Sequence, residues 1–210
     1  MTTAPVRLRS AEETAFRRQL AKDAVWSRMV APGGRVPAMP LIEVDLGPIH
    51  LDRLLQTGPL VLVFFSCAES ASVDAVLAGY QRTLLPACTD AGAHLVAVSP
   101  QRVGLLAPAK HRHDLGYLVA SDPRHALIDA FRIGYQSPEA GATLGTGRSV
   151  LPYPAVVVAD RTGTVCYVSI RPEAAPPTPA ARVIAALDRL RPPRSRRPAA
   201  PHPKGPPEFI

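Results

Sequence analysis

The spacing of apolar residues changes within one stretch near the middle of the chain. Residues 60–65 (LVLVFF) form a continuous apolar run, which is typical of a strand buried on both faces of a largely parallel sheet. From Val73 the apolar positions are 73, 76, 77, 80 and 84, the spacing of one helix face, and Pro86 is expected to end that helix. Between strand and helix lies the segment 66–72 (SCAESAS). Loops at the carboxyl ends of such strands commonly carry the chemistry of α/β proteins, so we expect the functional site here.

The remaining pattern predicts an alternating order of strands and helices. A capping box at Ser10 and Glu13 predicts an N-terminal helix from residue 11 to about 29, with positions 16, 20, 24 and 27 or 29 facing inward. The other predicted strands cover residues 41–46, 49–51, 93–99, 117–120, 155–160 and 165–170, and the other predicted helices cover 52–55, 100–113, 121–131 and 178–191. Alternating βα units that end in a hairpin and a helix predict an α/β fold, with helices on both faces of a central mixed sheet.

Composition divides the chain into three parts: an N-terminal helical extension (1–35), one domain (36–190) and a Pro-rich basic tail (191–210) predicted to be disordered. The net charge of +7 lies in the flanks, because residues 1–40 and 191–210 each carry +4 whereas residues 41–190 carry −1. We therefore expect no nucleic-acid binding by the domain, and at most a weak contact through the tail.

The sequence also restricts the expected location of the protein. No apolar run approaches the ~20 residues of a membrane span, and residues 1–13 lack the apolar core of a secretory signal. The three cysteines (Cys67, Cys88, Cys166) are an odd number without a CxxC pair, which favours reduced thiols over a disulfide framework. We expect a cytoplasmic protein that does not enter a membrane.

Four segments, in this order, resemble the peroxiredoxin-like branch of the alkyl hydroperoxide reductase/thiol-specific antioxidant family. They are LVLVFF (60–65), HLVAVSPQ (94–101), SDPRHALIDAFRIG (121–134, with SPE following) and LPYPAVVVADRTGTV (151–165). The resemblance covers about residues 36–190 and implies a thioredoxin-like fold and antioxidant reduction of peroxides by a thiol. It also implies that the Tyr153–Pro154 bond is cis and faces the redox site.

The chain departs from this family where relatives carry their reactive cysteine, at the start of the site helix. Counted from the two phenylalanines at 64–65, that cysteine position falls on Ser70 and the second one on Val73. Cys67 lies three residues before Ser70, and Glu69 lies beside it. The predicted catalytic candidates are Cys67 and Ser70; the predicted pocket residues are Ser66, Glu69, Tyr153 and Pro154.

Each candidate also has a structural interpretation. Cys67 is either the reactive thiol or a small buried residue at a strand end. Ser70 fits a helix N-cap better than a nucleophile, because no His–Asp pair is visible near it. A reactive thiol must ionise, which a helix N-terminus favours but Glu69 opposes. Cationic candidates that the fold can bring near the thiol are Arg124, Arg132 and Arg148.

A resolving cysteine is not evident. Cys88 lies beyond the far end of the predicted site helix, which spans about 20 Å at 1.5 Å per residue, and a disulfide needs Cα atoms within about 7 Å. Cys166 falls within a predicted strand among apolar residues. Any peroxidase cycle is therefore expected to be of the one-cysteine type, completed by an external thiol.

Two functions follow from the sequence: a thiol peroxidase acting on a peroxide and a thiol, or a thioredoxin-fold module that has lost catalysis and acts by binding. Self-association through the N-terminal helix or a sheet edge is a further expectation. His111 and His113 fit a solvated helix end rather than a metal site, and the glycine-rich segment 141–147 does not follow a strand as a phosphate-binding loop does. We expect no metal and no cofactor.

Overall fold

A computed structural model describes residues 14–190 except positions 16, 19, 23, 139, 145–147 and 172–177. The predicted disordered tail (191–210), the capping box and part of the glycine-rich segment lie outside the described residues. The strands are β1 (Pro40–Glu43), β2 (Gly47–His50), β3 (Leu60–Phe64), β4 (His94–Ser99), β5 (Leu118–Ser121), β6 (Gly134–Gln136), β7 (Val150–Pro152), β8 (Ala155–Ala159) and β9 (Val165–Ile170). The helices are α1 (Val25–Arg28), α2 (Leu51–Thr57), α3 (Ala71–Thr83), α4 (Leu85–Asp90), α5 (Val103–Arg112), α6 (Ala126–Phe131), α7 (Ala140–Leu144) and α8 (Ala180–Leu190).

Seven strands form one mixed sheet in the order β2-β1-β5-β4-β3-β8-β9. β3 lies inside the sheet, parallel to β4 and antiparallel to β8, as the apolar run and the terminal hairpin predicted. All five residues of β3 are buried. Its continuous apolar sequence is thus explained by burial on both faces. The predicted α/β fold with helices on both faces is confirmed.

The two faces of β3 pack into two separate apolar clusters. Leu60, Leu62 and Phe64 pack with α2 and α6, and the ring of Phe64 makes an edge contact with Phe131 at a centroid distance of 5.7 Å. Val61 and Val63, followed by Phe65 just after the strand, belong to the other cluster with residues of α3, α5 and α8. α3 is thereby fixed against the same strand whose carboxyl end leads into it.

The N-terminal helical segment differs from its prediction. The described positions 14–22 are helical, but Ala24 adopts a left-handed conformation (φ 50°) and α1 starts afresh at Val25. Leu20 is buried in the first cluster as predicted, whereas Ala24 is exposed and its predicted inward position is wrong. Of the alternatives 27 and 29, Ser27 is exposed and Met29 packs against the cluster, while Phe16 lies outside the described residues. The break places Val25 rather than Ala24 on the inward face.

Two smaller features also differ from expectation. Pro86 does not end the helical region but lies in the first turn of α4, where its missing N–H leaves no helical bond unmade. α5 lies within the predicted helix 100–113 and continues through Pro108. β6 and β7 pair as a small second sheet that the sequence analysis missed, since three-residue strands give too little periodicity to detect. No helix in the described part of the chain is long and apolar enough to cross a bilayer.

A buried ion pair connects α5 to the sheet. Lys110 Nζ lies 2.6 Å from Glu43 Oε1 at the end of β1, and the Glu43 side chain is fully buried. Glu43 also accepts bonds from the backbone N–H groups of Val119, Asp45 and Leu46. Burial opposes ionisation, but Lys110 and these three N–H groups outweigh it, so the pKa of Glu43 lies below its usual value.

We predict that Lys110→Met lowers the free energy of unfolding by about 3 kcal/mol, because it leaves the buried Glu43 carboxylate without its cation. Chemical denaturation measures the change. The matched control is Arg148→Met, which removes a cation 3.3 Å from the exposed Asp129 and should cost within ~1 kcal/mol. Equal losses in the two variants would contradict the assignment.

His125, at the start of α6, is buried without hydrogen bonds to other described residues that would stabilise a protonated imidazole. It adopts a left-handed conformation (φ 57°), its side chain is fully buried, and neither ring nitrogen has a hydrogen-bond partner among the described residues. Burial lowers the pKa of His125, and Arg148 adds to this while Asp129 opposes it. The imidazole is therefore neutral in the fold.

We predict that this histidine makes the protein lose stability as the pH falls below ~6.5, the usual value for histidine, because the unfolded chain then binds a proton that the folded chain does not. His125→Asn, which tolerates the left-handed backbone, should flatten this part of the stability profile. Unfolding free energies measured between pH 5 and 8 test it, and an unchanged slope in the variant would count against it.

Candidate active site

The loop after β3 is held by the segment that follows β4. Phe65 N–H continues the ladder to Val98 O at 3.1 Å, and the Ser66 carbonyl accepts a bond from Ser99 Oγ at 2.9 Å. Ala68 N–H donates to Gln101 Oε1 at 2.7 Å. Because parallel strands end at the same edge of the sheet, two loops distant in sequence meet here. Residues 66–70 thus have a defined position beside the start of α3.

Cys67, Glu69 and Gln101 form one hydrogen-bonded cluster. Cys67 Sγ lies 2.9 Å from Glu69 Oε2, and Gln101 Nε2 donates to the same Oε2 at 2.8 Å. The amide nitrogen is also 3.7 Å from Cys67 Sγ. Cys67 is half-buried, Glu69 is exposed and Gln101 is fully buried. The cluster joins a thiol, its proton acceptor and a rigid support.

The electrostatics of this cluster keep the proton on sulfur. Burial raises the pKa of the Cys67 thiol, and the Glu69 carboxylate raises it further. Burial opposes ionisation of Glu69, but the bonds from Cys67 and Gln101, together with the charge of Arg112, hold the pKa of Glu69 below its usual value. At neutral pH a protonated thiol therefore faces an ionised carboxylate. The carboxylate lies within hydrogen-bond reach of the thiol proton, which is the geometric requirement for a general base.

Ser70 occupies the N-cap position of α3 but its hydroxyl does not cap the helix. Ser70 Oγ bonds to Ser72 Oγ at 2.8 Å, and no side-chain bond reaches the backbone of the first turn. The position predicted for it is therefore right, while the capping bond is absent from the described contacts. Its assignment to the family's cysteine position stays a prediction.

The remaining predicted pocket residues do not share one cavity. Ser66, the first residue of the loop, is buried. Glu69 opens to a groove between α3 and α5. Tyr153 is buried in the first apolar cluster, with its ring 4.5 Å from that of Tyr135. Pro154 lines a separate apolar cavity of about 50 Å³ together with residues of β3, α3 and β8. Neither Cys67 nor Glu69 lines that cavity.

Pro154 nevertheless lies at the predicted edge of the sheet. Ala155 pairs with Phe64, so Pro154 sits next to the residue that follows β3. The expected cis bond at Tyr153–Pro154 is wrong, because every peptide bond in the described part of the chain is trans. Tyr153 N–H bonds to Ile133 O and Pro154 O accepts Arg171 N–H, so the trans chain passes directly from the small sheet into β8.

The three arginines suggested as thiol partners lie elsewhere. Arg148 contacts the Arg124 carbonyl and the Asp129 carboxylate, and Arg132 lines a surface cavity beside α6. The cation that influences the cluster is instead Arg112, whose charge helps to lower the pKa of Glu69. Arg112 comes from α5, which the pattern of the sequence does not connect with Cys67.

His111 and His113 pair with different carboxylates. His111 Nε2 lies 2.8 Å from Asp45 Oδ1, and His113 Nε2 lies 2.8 Å from Asp74 Oδ2. The two imidazoles therefore serve separate contacts at the end of α5. No group of three or more potential metal ligands occurs within the described residues.

Gln101, which supports the whole cluster, was not among the predicted site residues. It is the last residue of the family-like segment HLVAVSPQ (94–101). The usable signal was its place two residues after the predicted strand 93–99, at the carboxyl end of a strand parallel to β3. The rule that such ends meet at one edge identifies the residue once the strand order is known.

Solved structures with the same fold were found. One match is peroxidoxin BcpB from Mycobacterium tuberculosis, with a TM-score of 0.64, 20% identity and coverage of 76% of this chain and 97% of the other. The bacterioferritin comigratory protein of Xanthomonas campestris matches with a TM-score of 0.60, 20% identity and coverage of 72% and 90%. A variant of peroxiredoxin 6 from Arenicola marina matches with a TM-score of 0.64, 14% identity and coverage of 77% and 73%.

These structural matches establish the fold, and the sequence establishes the family. No curated protein matches the chain. The AhpC/TSA family matches residues 32–168, which include every strand of the central sheet except the last two residues of β9, and also the loop with Cys67. Since this match covers more than half of the 210 residues, the chain belongs to the AhpC/TSA family.

Proposed function

We propose that the protein is a one-cysteine thiol peroxidase in which Cys67 reacts with the peroxide and Glu69 carries the proton. Membership of the AhpC/TSA family supports a peroxiredoxin-like thiol peroxidase and does not favour the non-catalytic alternative. The observation that carries the assignment to Cys67 is the 2.9 Å contact between its sulfur and Glu69 Oε2. This contact joins a half-exposed thiol to a base within hydrogen-bond reach.

The reaction needs one proton to move twice. Glu69 takes the proton of the Cys67 thiol as sulfur attacks the terminal oxygen of the hydroperoxide. The O–O bond breaks, a sulfenic acid forms on Cys67, and the leaving alkoxide or hydroxide takes the proton from Glu69 as an alcohol or water. Gln101 Nε2, 2.8 Å from Glu69 Oε2, holds the carboxylate towards the sulfur during both transfers.

The other cysteines are too far away to resolve this sulfenic acid. Cys166 follows Val165, whose partner Ala159 pairs with Leu60, so it lies at the opposite end of β3 from Cys67. Cys88 is fully buried. It lies at that same end of the sheet, because its carbonyl accepts a bond from the N–H of Ala93, just before β4. Five strand residues separate the ends by roughly 15 Å, beyond the ~7 Å limit for a disulfide. An external thiol must complete the cycle.

We predict that hydrogen peroxide in small excess produces a sulfenic acid on Cys67, which dimedone traps for mass spectrometry. The label should vanish in Cys67→Ser and persist in Cys166→Ser, a matched control since Cys166 is also a half-buried thiol whose pKa is raised by burial. Labelling of another cysteine, or none, would remove the assignment.

We predict that Glu69→Gln slows the peroxide reaction at neutral pH by about 100-fold, the usual contribution of a general base. The wild-type rate should vary little between pH 6 and 8, because Glu69 has a lowered pKa and stays ionised. The variant's rate should rise about tenfold per pH unit towards the pKa of the thiol, since only the free thiolate then reacts.

Stopped-flow measurement of peroxide consumption across this pH range tests the role of Glu69. An increase in the rate would be informative as well. If the carboxylate acts only by repelling the thiolate, its removal lowers the pKa of the thiol and accelerates the reaction at pH 7. A faster Glu69→Gln variant would therefore refute the general-base role.

A further inference from the structure

A charged groove opens beside the cluster, on the side of Glu69. It lies between the start of α3 and α5, has a volume of about 360 Å³, and is lined among others by Glu69, Asp74, Gly104, Leu105, Pro108 and Arg112. This volume is within the range of small-molecule sites, about 300–1,000 Å³. The apolar cavity beside Pro154, at about 50 Å³, is much smaller.

The groove presents both signs of charge at separate points. Glu69 supplies a carboxylate to its lining, and the charge of Arg112, which also lines it, acts on Glu69. Arg112 Nη2 contacts Asp74 Oδ1 at 2.9 Å, and 55% of the Arg112 side chain remains exposed. A guanidinium has five N–H donors, so this single contact leaves others for a ligand carboxylate. The groove therefore suits a ligand that carries both charges.

Pro108 removes a helical N–H donor beside the same groove. Proline has no N–H, so the carbonyl of Gly104, four residues earlier in α5, lacks the donor that a regular helix provides. Gly104 lines the groove, and a Cβ added there meets nothing within 4 Å. An ammonium group can bond to this carbonyl and to the nearby carboxylates.

We propose that this groove binds the external thiol that reduces Cys67, and that this thiol is a small zwitterion. Its ammonium group contacts the Gly104 carbonyl and Glu69, and its carboxylate contacts Arg112. The exposed side chain of Leu105 covers the carbon skeleton between them. Glu69 lines the groove and also contacts Cys67 Sγ at 2.9 Å, so the proposal places the sulfur of the bound thiol on the Cys67 side of Glu69. The inference rests on the one-cysteine function proposed above.

The reduction is balanced with two thiols. The first attacks the sulfur of the Cys67 sulfenic acid, forms a mixed disulfide, and its proton leaves with the hydroxide as water, through Glu69. A second thiol attacks the mixed disulfide at the sulfur of the first, which releases a small disulfide and returns Cys67 to the thiol. The groove holds the first thiol in position for its attack.

The test uses a mixed disulfide made without peroxide. In full-length Cys166→Ser protein, Cys67 is converted to its adduct with thionitrobenzoate, and the coloured thiolate released by added thiols is timed. The probes are L-cysteine (zwitterion), cysteamine (cation), 3-mercaptopropionate (anion) and 2-mercaptoethanol (neutral). Each rate is divided by the rate of the same thiol with the free aromatic disulfide, which removes intrinsic reactivity.

We expect the normalised rate of L-cysteine to exceed that of 2-mercaptoethanol by about tenfold, one charge-assisted contact's effect. Arg112→Ala should reduce the rates of L-cysteine and 3-mercaptopropionate but not that of cysteamine. Gly104→Leu, which fills the groove, should remove the advantage of L-cysteine. Gly79→Leu is its matched control, because Gly79 is also a helical glycine with open space around its Cβ position but lies outside the groove.

Equal normalised rates for all four thiols, or an L-cysteine advantage that survives Gly104→Leu, would overturn the proposal. A second readout does not need the adduct: the unreactive zwitterion S-methyl-L-cysteine should shift amide NMR signals of α5 in wild type and not in Gly104→Leu, and no shift in wild type counts against the site. Sulfenic acid formation requires no thiol, so the peroxidase assignment and the groove fail or succeed separately.

Discussion

The parallel pairing of β3 with β4 determines where chemistry is possible in this protein. Phe64 lies opposite Val98, so the two strands end together and the loops after them run side by side. Gln101 then connects the loops with both ends of its buried amide, one on Ala68 N–H and one on the Glu69 carboxylate. Its own backbone is bonded as well, to Ser99 Oγ and Ser121 Oγ. A fully bonded buried residue has no alternative arrangement at low cost, and this fixes the loop.

The consequence is a thiol site built around a negative partner. A cationic neighbour would stabilise a thiolate in advance, whereas Glu69 raises the pKa of Cys67 and keeps the proton available at 2.9 Å. In the reaction proposed above, such a site depends on proton transfer during the reaction rather than on a stored anion. It also places the exposed carboxylate between the sulfur and the groove of α5, so that one residue connects the thiol with the surface at which a second reactant can arrive.

Polar groups elsewhere fix the elements that carry this site. Glu43 and Lys110 attach α5 to the sheet, and α5 provides Arg112 to the groove. Asp122 accepts bonds from three backbone N–H groups at the start of α6. Because each buried charge is satisfied by a specific partner, α5 and α6 pack at defined positions rather than sliding along an apolar surface.

The sequence by itself determined the order of the elements of the central sheet, the buried strand, the helix that follows it and the family resemblance, because these depend on local periodicity and on runs of adjacent residues. It also identified Cys67, Ser70 and Glu69 as neighbours at the start of the helix. The sequence did not show that Gln101 and Arg112 act on these three residues. Nor did it show that Tyr153, predicted as a pocket residue, is buried in the first apolar cluster away from Cys67. Those relations depend on which strands pair and on which face each residue lies. Strand pairing is a property of the whole sheet, with contacts between residues more than thirty positions apart, and only the tertiary structure decides it.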